Sequence, residues 1–184
     1  CEKPICLTTF QLKNLIQISR LNKKKFFEVN QYIHHPLFIK LKKIINKKKV
    51  GDIISVESAF KIPYFEKDNF RFQNKLGGGA INDLGYYPIS IMYNLFESKK
   101  IKLLKSKILK KNGIDLKGKC FFKNENNIKF DLSWGFKSSY ENFIKIIGVK
   151  GTIKVKFIFS KHINQDGEIE IITQKKEILK IKKV

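Results

Sequence analysis

The chain has 184 residues, 42% of them hydrophobic and 12% aromatic, which is enough apolar side chain for a core and excludes an intrinsically disordered protein. No apolar run approaches the ~18 residues of a membrane span, and the first residues do not resemble a signal peptide, so we expect a cytoplasmic protein without a membrane partner. The net charge is +22, but only Arg20 and Arg71 are arginine, and residues with A/T-rich codons form about half of the chain, which favours genome composition over a nucleic-acid surface.

Helices and short strands are predicted to alternate at the start of the chain. A threonine pair caps a helix over about 8–22, where apolar residues recur at helical spacing. A short strand is predicted over Phe26 to Tyr32. Pro36 then suits the first turn of a second helix, which ends near Gly51.

A strand, a loop and a third helix are predicted next. Residues 52–64 read as a strand that Pro63 stops. A polar and aromatic loop over 66–76 leads to the triplet Gly77 to Gly79. This triplet is predicted to open a helix over about 80–96.

The second half of the chain has the two-residue periodicity of strands with one buried and one solvated face. The alternation is clearest at 128–136, 153–159 and 169–171. Glycine-containing turns separate such strands at 112–113, 150–151 and 166–167. We therefore predict a largely antiparallel sheet with lysines on its solvent side and Trp134 in its core.

The segment 68–91 is the most informative part of the sequence. Consecutive glycines let a backbone approach a ligand closely, and the following helix adds free N–H groups and a positive dipole end. Asp83 and Tyr87 are four residues apart and share a helix face, while Pro88 is expected to disturb the helix locally. Tyr86 is expected to be buried.

This segment, GGGAINDLGYYPIS, resembles the G-G-G-x-x-x-D-x-G-x-[HY] segment of the glucose–fructose oxidoreductase / inositol dehydrogenase / MocA family. Other stretches resemble the same family, in its order. Glu2-Lys3-Pro4 matches its E-K-P motif, Glu28 to Pro36 resembles its strand-to-helix stretch, and Gly148 to Val155 resembles one of its strand turns.

The resemblance implies an oxidoreductase that transfers hydride between NAD or NADP and a sugar, polyol or nucleotide sugar. It implies an α/β (α+β) fold, in which a large, mainly antiparallel open sheet flanked by helices follows a partial Rossmann-type strand–helix–strand unit. Residues 1–32 are then a remnant of the NAD(P)-binding domain, and residues 33–184 form the substrate and oligomerisation domain. We expect a homo-oligomer through the open face of the sheet.

The resemblance also implies roles for individual residues. Tyr87 would be the acid/base, Lys3 the electrostatic helper and Asp83 the orienting group. Cofactor contacts are expected from Glu2, Lys3, Pro4 and Tyr32. Substrate contacts are expected from Tyr32, His35, Tyr64, Arg71, Gly78, Gly79 and Asp83, in a pocket shaped by residues 60–64 and 69–72.

Chemistry adds one expectation to these roles. The ammonium of Lys3 beside the phenol of Tyr87 would lower the pKa of Tyr87 from its usual ~10. The alternative for these residues is structural: an exposed lysine, a flexible glycine loop, a carboxylate at a helix start and core aromatics. No metal site is predicted, because neither the three cysteines nor the adjacent His34 and His35 have ligand spacing.

Some features depart from the family pattern. The sequence contains no G-x-G-x-x-G, and Ile33 stands where the family often has arginine. We therefore expect a chain truncated at both ends relative to the family, with weak cofactor binding and weak activity alone. Two alternatives stay open: a lysine-rich nucleic-acid-binding module, and a catalytically inactive domain kept for oligomer assembly. The sequence separates neither NAD from NADP nor one sugar from another.

Overall fold

An eight-stranded sheet dominates the computed structural model, which describes residues 1–63, 66, 69–162 and 164–182. Its strands, in chain order, are β1 (Ile53–Lys61), β2 (Ile101–Lys111), β3 (Ile114–Asn124), β4 (Lys129–Gly135), β5 (Glu141–Gly148), β6 (Gly151–Lys156), β7 (Gly167–Ile172) and β8 (Lys176–Ile181). Their order across the sheet is β2-β3-β4-β1-β5-β6-β7-β8. Strand β1 thus joins two antiparallel meanders, and it is parallel to β4 but antiparallel to β5.

The helices lie before and between the first strands. They are α1 (Thr9–Leu21), a 3-10 turn (Gln31–His34), α2 (Pro36–Asn46), a π-helical turn (Ile81–Gly85) and α3 (Tyr86–Asn94), with short 3-10 turns at Phe70–Phe72 and Asn74–Leu76. Thr8 caps α1 in a reciprocal pair with Gln11, as the threonine signal predicts. None of the described helices is long and apolar enough to cross a membrane.

The core lies between the helices α2 and α3 and one face of the sheet. The alternating residues of β4 to β7 point into it, as the two-residue periodicity predicts. Trp134 is 1% exposed at its centre. Its ring lies so close to Gly118 and Gly85 that a Cβ at either glycine would come within 3 Å of it. The open, mainly antiparallel sheet with flanking helices confirms the predicted fold class.

The other face of the sheet is solvated and carries many of the lysines. Several pair with acids on neighbouring strands, as Lys119 does with Asp131 at 2.9 Å. Other lysines lie on α2 and in the connections, for example at 23–25 and 47–49. A scattered coat with interleaved acids disfavours the nucleic-acid-binding alternative.

The strand predicted over Phe26 to Tyr32 is wrong. Only one bridge forms there, between Val29 and Glu2, and Tyr32 already lies in the 3-10 turn. The pairing is short because the 3-10 turn starts two residues after Val29. The division of the chain at residue 32 into two domains stays a prediction.

Other boundaries differ by a few residues from those predicted. Helix α2 ends at Asn46, five residues before Gly51, and β1 ends before Pro63. Strand β6 stops at Lys156, because Phe157 takes the left-handed conformation with φ +55°.

The third helix starts with a wider turn than predicted. In the π-helical turn the N–H of Tyr86 donates to the carbonyl of Ile81, five residues back. Helix α3 begins at Tyr86, which places Pro88 in its first turn, where the missing N–H costs little. The irregular helical turn expected at Pro88 therefore lies before the proline, at Ile81–Gly85.

Candidate functional site

A cavity of about 990 Å³ lies between the N-terminal segment and the turn that begins α3. Lys3 and Tyr87 both line this cavity, and their predicted catalytic roles stay a prediction. Of the other residues predicted for the site, it is lined by Glu2, Pro4, Arg71, Gly78, Gly79 and Asp83. The volume lies at the upper end of the range of ~300–1,000 Å³ that is common for ligand sites.

The carboxylate of Asp83 is held between two cations. The Lys3 ammonium lies 3.3 Å from Asp83 Oδ1 and donates to the Asp83 carbonyl at 2.6 Å. On the other side, Arg71 Nε donates to Asp83 Oδ2 at 2.5 Å. All three side chains are partly buried, so solvent screens these ion pairs less than it screens pairs at the surface. They fix the position of the Lys3 ammonium at the cavity wall.

The phenol of Tyr87 differs from the expectation. Lys3 Nζ lies 4.5 Å from the centroid of the Tyr87 ring, in a cation–π contact, instead of pairing with the hydroxyl. Burial raises the pKa of Tyr87, and the charges of Asp83 and Glu2 raise it further. The predicted lowering of this pKa by Lys3 is therefore wrong. Tyr87 keeps its proton at neutral pH.

The glycine triplet has a definite conformation that places the π-helical turn. Gly77 and Gly79 have φ +75° and +116°, which favour glycine. A Cβ at Gly79 would lie 2.3 Å from Asp115 Oδ1, so the glycine also allows a close approach. Asp115 Oδ2 accepts from the Ile81 N–H at 2.7 Å and caps the turn. The turn that carries Asp83 is thereby fixed to β3.

One carboxylate that sequence reasoning missed joins the two sides of the cavity. Glu28 Oε1 accepts from the Ile5 N–H at 2.9 Å, and Glu28 Oε2 accepts from the Tyr86 hydroxyl at 2.5 Å. Burial and this hydrogen bond raise the pKa of Tyr86. Glu28 thus links the segment of Lys3 to helix α3. Its only sequence signal is its place in the stretch that resembles the family.

Tyr32 does not lie on the cavity of Lys3, which corrects its predicted cofactor contact. It is 4% exposed, and its hydroxyl is engaged with Ser90 Oγ at 2.6 Å and with Asn94 Nδ2 at 3.3 Å. The pKa of Tyr32 is raised by burial. This hydroxyl is a core group that fastens the 3-10 turn to α3.

His35 also lies apart from the large cavity. Its Nδ1 accepts from the Leu37 N–H at 3.1 Å, so that His35 caps α2. His35 and Tyr32 line a second, smaller cavity together with Tyr87. The predicted substrate contacts of His35 and Tyr32 therefore belong to a different cavity from that of Lys3.

Several further placements complete the site. Phe60 packs on the ring of Tyr87 at 5.2 Å instead of lining the large cavity, while Phe70 lines it. Tyr64 lies outside the described residues. The cavity is also lined by residues that the sequence did not single out, among them Cys6, Asn14 and Asn82. The described residues contain no group of three or more His, Cys, Asp or Glu side chains that could hold a metal ion.

Comparison with known proteins gives this site a context. The family model for the GFO/IDH/MocA C-terminal domain matches residues 38–154. The chain is 24% identical over 171 residues to a dTDP-3,4-didehydro-2,6-dideoxy-alpha-D-glucose 3-reductase of Saccharopolyspora spinosa, covering 92% of the chain and 52% of that protein. It is 23% identical over 156 residues to a trans-1,2-dihydrobenzene-1,2-diol dehydrogenase of Xenopus laevis, covering 84% and 47%. The chain spans about half the length of these curated relatives.

Solved structures share the fold. A 3-ketoreductase from Actinomadura kijaniata, in complex with NADP and TDP-benzene, superposes with a TM-score of 0.94 at 20% identity, over 99% of this chain and 57% of that one. An aldose-aldose oxidoreductase from Caulobacter crescentus, complexed with glycerol, gives a TM-score of 0.86 at 14% identity, over 100% and 55%.

Proposed function

Because the chain belongs to the family of GFO/IDH/MocA C-terminal domains, we propose that it is the substrate-binding part of an NAD- or NADP-dependent oxidoreductase. Its substrate is a sugar, a polyol or a nucleotide sugar. One observation carries the proposal: a half-buried ammonium, a carboxylate and a protonated phenol converge on one large cavity. The relatives named as reductases and dehydrogenases support it.

The residues of the cavity suit proton transfer and charge stabilisation at a substrate oxygen. When bound, NAD(P) supplies or accepts the hydride. In the reductive direction Tyr87 donates its phenolic proton to the oxygen of the carbonyl that becomes a hydroxyl, and in the oxidative direction the phenolate takes that proton back. The Lys3 ammonium stabilises the negative charge that develops on this oxygen. Asp83 holds that ammonium in place, and the raised pKa of Tyr87 favours the proton-donating form.

One wall of the cavity offers polar partners for a dinucleotide. Glu2, Lys3 and Pro4 line the cavity beside the amides of Gln11 and Asn14 on α1, which offers polar partners on one wall. Helix α1 is fully described, and none of its residues is buried. Its apolar side chains Phe10 and Leu21 are 70% and 74% exposed. We propose that the rest of the dinucleotide-binding domain packs on this apolar surface and closes the cavity.

The test is turnover by the longest protein that contains this chain, with NADPH or NADH and a panel of ketosugars. Tyr87→Phe should lower kcat by about 100-fold or more, because it removes the proton donor, while the Kd of the cofactor changes by less than about twofold. Tyr93→Phe is the matched control, since this exposed tyrosine lies on the same helix but outside the cavity. Unchanged turnover in Tyr87→Phe would refute the assignment.

We also propose a homo-oligomer through the open face of the sheet. One row across four strands reads Asp131, Glu57, Lys145 and Lys154, in register. A two-fold axis parallel to the strands, between β1 and β5, would set the acids of one copy opposite the lysines of the other. The double substitution Glu57→Lys and Asp131→Lys should dissociate the oligomer in sedimentation velocity. A wild-type monomer at all concentrations would count against this interface.

A further inference from the structure

A second cavity of about 360 Å³ lies beside the large one, and Tyr87 lines both. We propose that this second cavity binds an oxyanion, a phosphate or a carboxylate, that the substrate carries. This inference rests on the proposed function and deepens it, because it names charged sugars as the substrate class. Its volume lies within the range of ~300–1,000 Å³ for ligand sites.

Two imidazoles line the cavity and can supply hydrogen-bond donors. The sequence contains three histidines, and His35 and His162, which are 127 positions apart, both line this cavity. In each ring Nδ1 accepts a backbone N–H, from Leu37 at 3.1 Å and from Asn164 at 3.2 Å. The neutral rings therefore carry their proton on Nε2. Each ring can donate to an anion without first taking up a proton.

Lys161 adds a positive charge next to these rings. It lines the cavity, and its charge lowers the pKa of His35, second to the effect of burial. Its ammonium donates to the Gln165 carbonyl, and the described residues that line the cavity include no Asp or Glu. Two N–H donors and an ammonium without a carboxylate match an oxyanion.

Hydrogen bonds from a buried side chain fix one wall of this cavity. Phe157 has φ +55°, which is strained for an aromatic residue and is maintained only where the surroundings enforce it. The buried Asn142 does so: its Oδ1 accepts from the Phe159 N–H at 3.1 Å, and its Nδ2 donates to the Ser160 carbonyl at 2.7 Å. Its backbone carbonyl accepts from the Phe157 N–H. One side chain and its backbone thus fix the segment that leads into Lys161.

The apolar side of the cavity connects it to the proposed chemistry. The rings of Tyr32, Phe159 and Tyr87 pack against one another, with centroids 5.3 to 5.9 Å apart. An apolar wall with a few convergent polar groups is typical of a ligand site. A sugar anchored by its anion in this cavity would lie against Tyr87, which also borders the cavity of Lys3.

The test is histidine side-chain NMR of the 184-residue chain, titrated with inorganic phosphate. Phosphate in the millimolar range should shift the imidazole signals of His35 and His162 but not that of His34, which lies outside the cavity; His34→Gln and His162→Gln assign the signals. Lys161→Gln should weaken phosphate binding about fivefold, as expected for the loss of one charge-assisted contact. Lys47→Gln makes the same charge change at an exposed lysine outside the cavity and should leave binding within about twofold.

Glucose 6-phosphate, glucuronate and glucose then distinguish the source of the anion. Shifts with the phosphate ester alone identify a phosphate, shifts with glucuronate alone identify a carboxylate, and shifts with both leave the oxyanion general; each outcome supports the site. Unshifted histidines, equal shifts with neutral glucose, or equal weakening by Lys47→Gln would overturn it. Because this readout needs no turnover, unchanged turnover in the Tyr87→Phe enzyme and an empty anion site are separate failures.

Discussion

The two sides of the large cavity are attached to the molecule in different ways. On one side, the π-helical turn and α3 pack on the sheet, with Leu84, Ile91 and Met92 buried. On the other side, residues 1–30 include α1, none of whose residues is buried, and polar contacts of Lys3 and Glu28 join this segment to the π-helical turn and α3. The phenol of the site is therefore carried by the core, whereas the ammonium is carried by a segment that ion pairs and hydrogen bonds hold.

This difference separates the stability of the fold from the assembly of the site. Apolar packing around Trp134 decides whether the sheet folds. Glu28 and Asp83 decide whether Lys3 stays at the cavity. Glu28 bonds to Ile5 on one side and Tyr86 on the other, and Asp83 pairs with Lys3 itself. Substitutions should therefore divide into those that unfold the chain and those that only open the site.

The largest effect is expected at the core. Trp134→Ala should lower the free energy of unfolding by about 3–5 kcal/mol, since it leaves a cavity where the ring packs on Gly118 and Gly85. Trp134→Phe should cost clearly less, because the buried indole Nε1 has no hydrogen-bond partner to lose. Urea denaturation of the two variants checks this. Equal losses in the two variants would contradict this prediction, because the Phe ring would then restore none of the packing that Ala removes.

A local effect is expected at Glu28. Glu28→Ala removes two hydrogen bonds of a charged group, each worth ~1.5–3 kcal/mol, so amide exchange at Ile5 should speed up about tenfold or more. Exchange in the central strands should change by less than about threefold. Glu177→Ala, which breaks an exposed pair with Lys49, is the control and should leave Ile5 protected. Equal acceleration throughout the sheet would contradict the separation of the two sides.

A smaller effect is expected in alkaline solution. The pKa of Tyr86 is raised in the folded state by burial and by Glu28, so the protonated phenol stabilises the fold fully below the unfolded pKa of ~10, and this contribution is lost as the pH rises above it. Tyr86→Phe should therefore show a shallower decline of stability above about pH 10 in urea midpoints. Tyr32 and Tyr87 act in the same direction, so part of the decline remains. An unchanged slope would exclude this contribution of Tyr86.

The smallest effect is expected on α1. Phe10→Ser should change the free energy of unfolding by less than about 0.5 kcal/mol, because the ring is already exposed. The same substitution should weaken cofactor binding in the longest protein that contains the chain, if a dinucleotide-binding domain packs on α1. A large loss of stability in thermal unfolding of the 184-residue chain would mean that α1 belongs to the core after all.

Much of the fold was predictable because its signals are local. The alternation in β4 and β7, the threonine cap of α1 and Pro36 at the start of α2 depend on neighbours in sequence. The failed strand over Phe26 to Tyr32 has apolar residues of the right type, but a strand also needs a partner, and pairing is not a local property.

The sequence predicted which residues lie at the site but not how their charges interact. The family resemblance brought Lys3, Asp83 and Tyr87 to one cavity, whereas the orientation of Lys3 over the ring of Tyr87 depends on where Asp83 holds the ammonium. The pKa of Tyr87 then follows burial, which no spacing reveals. Glu28 was missed because its two partners are 23 and 58 positions away.

The central position of β1 has a consequence for how the chain acquires its structure. Val56 pairs with Phe130 and with Ile146, so both partner strands lie more than 70 residues further along the chain than β1. The two meanders can form from adjacent hairpins, but the strand that joins them must wait for contacts of high sequence separation. We expect slow refolding, in which amides of β1 gain protection after those of the β2–β3 and β5–β6 hairpins.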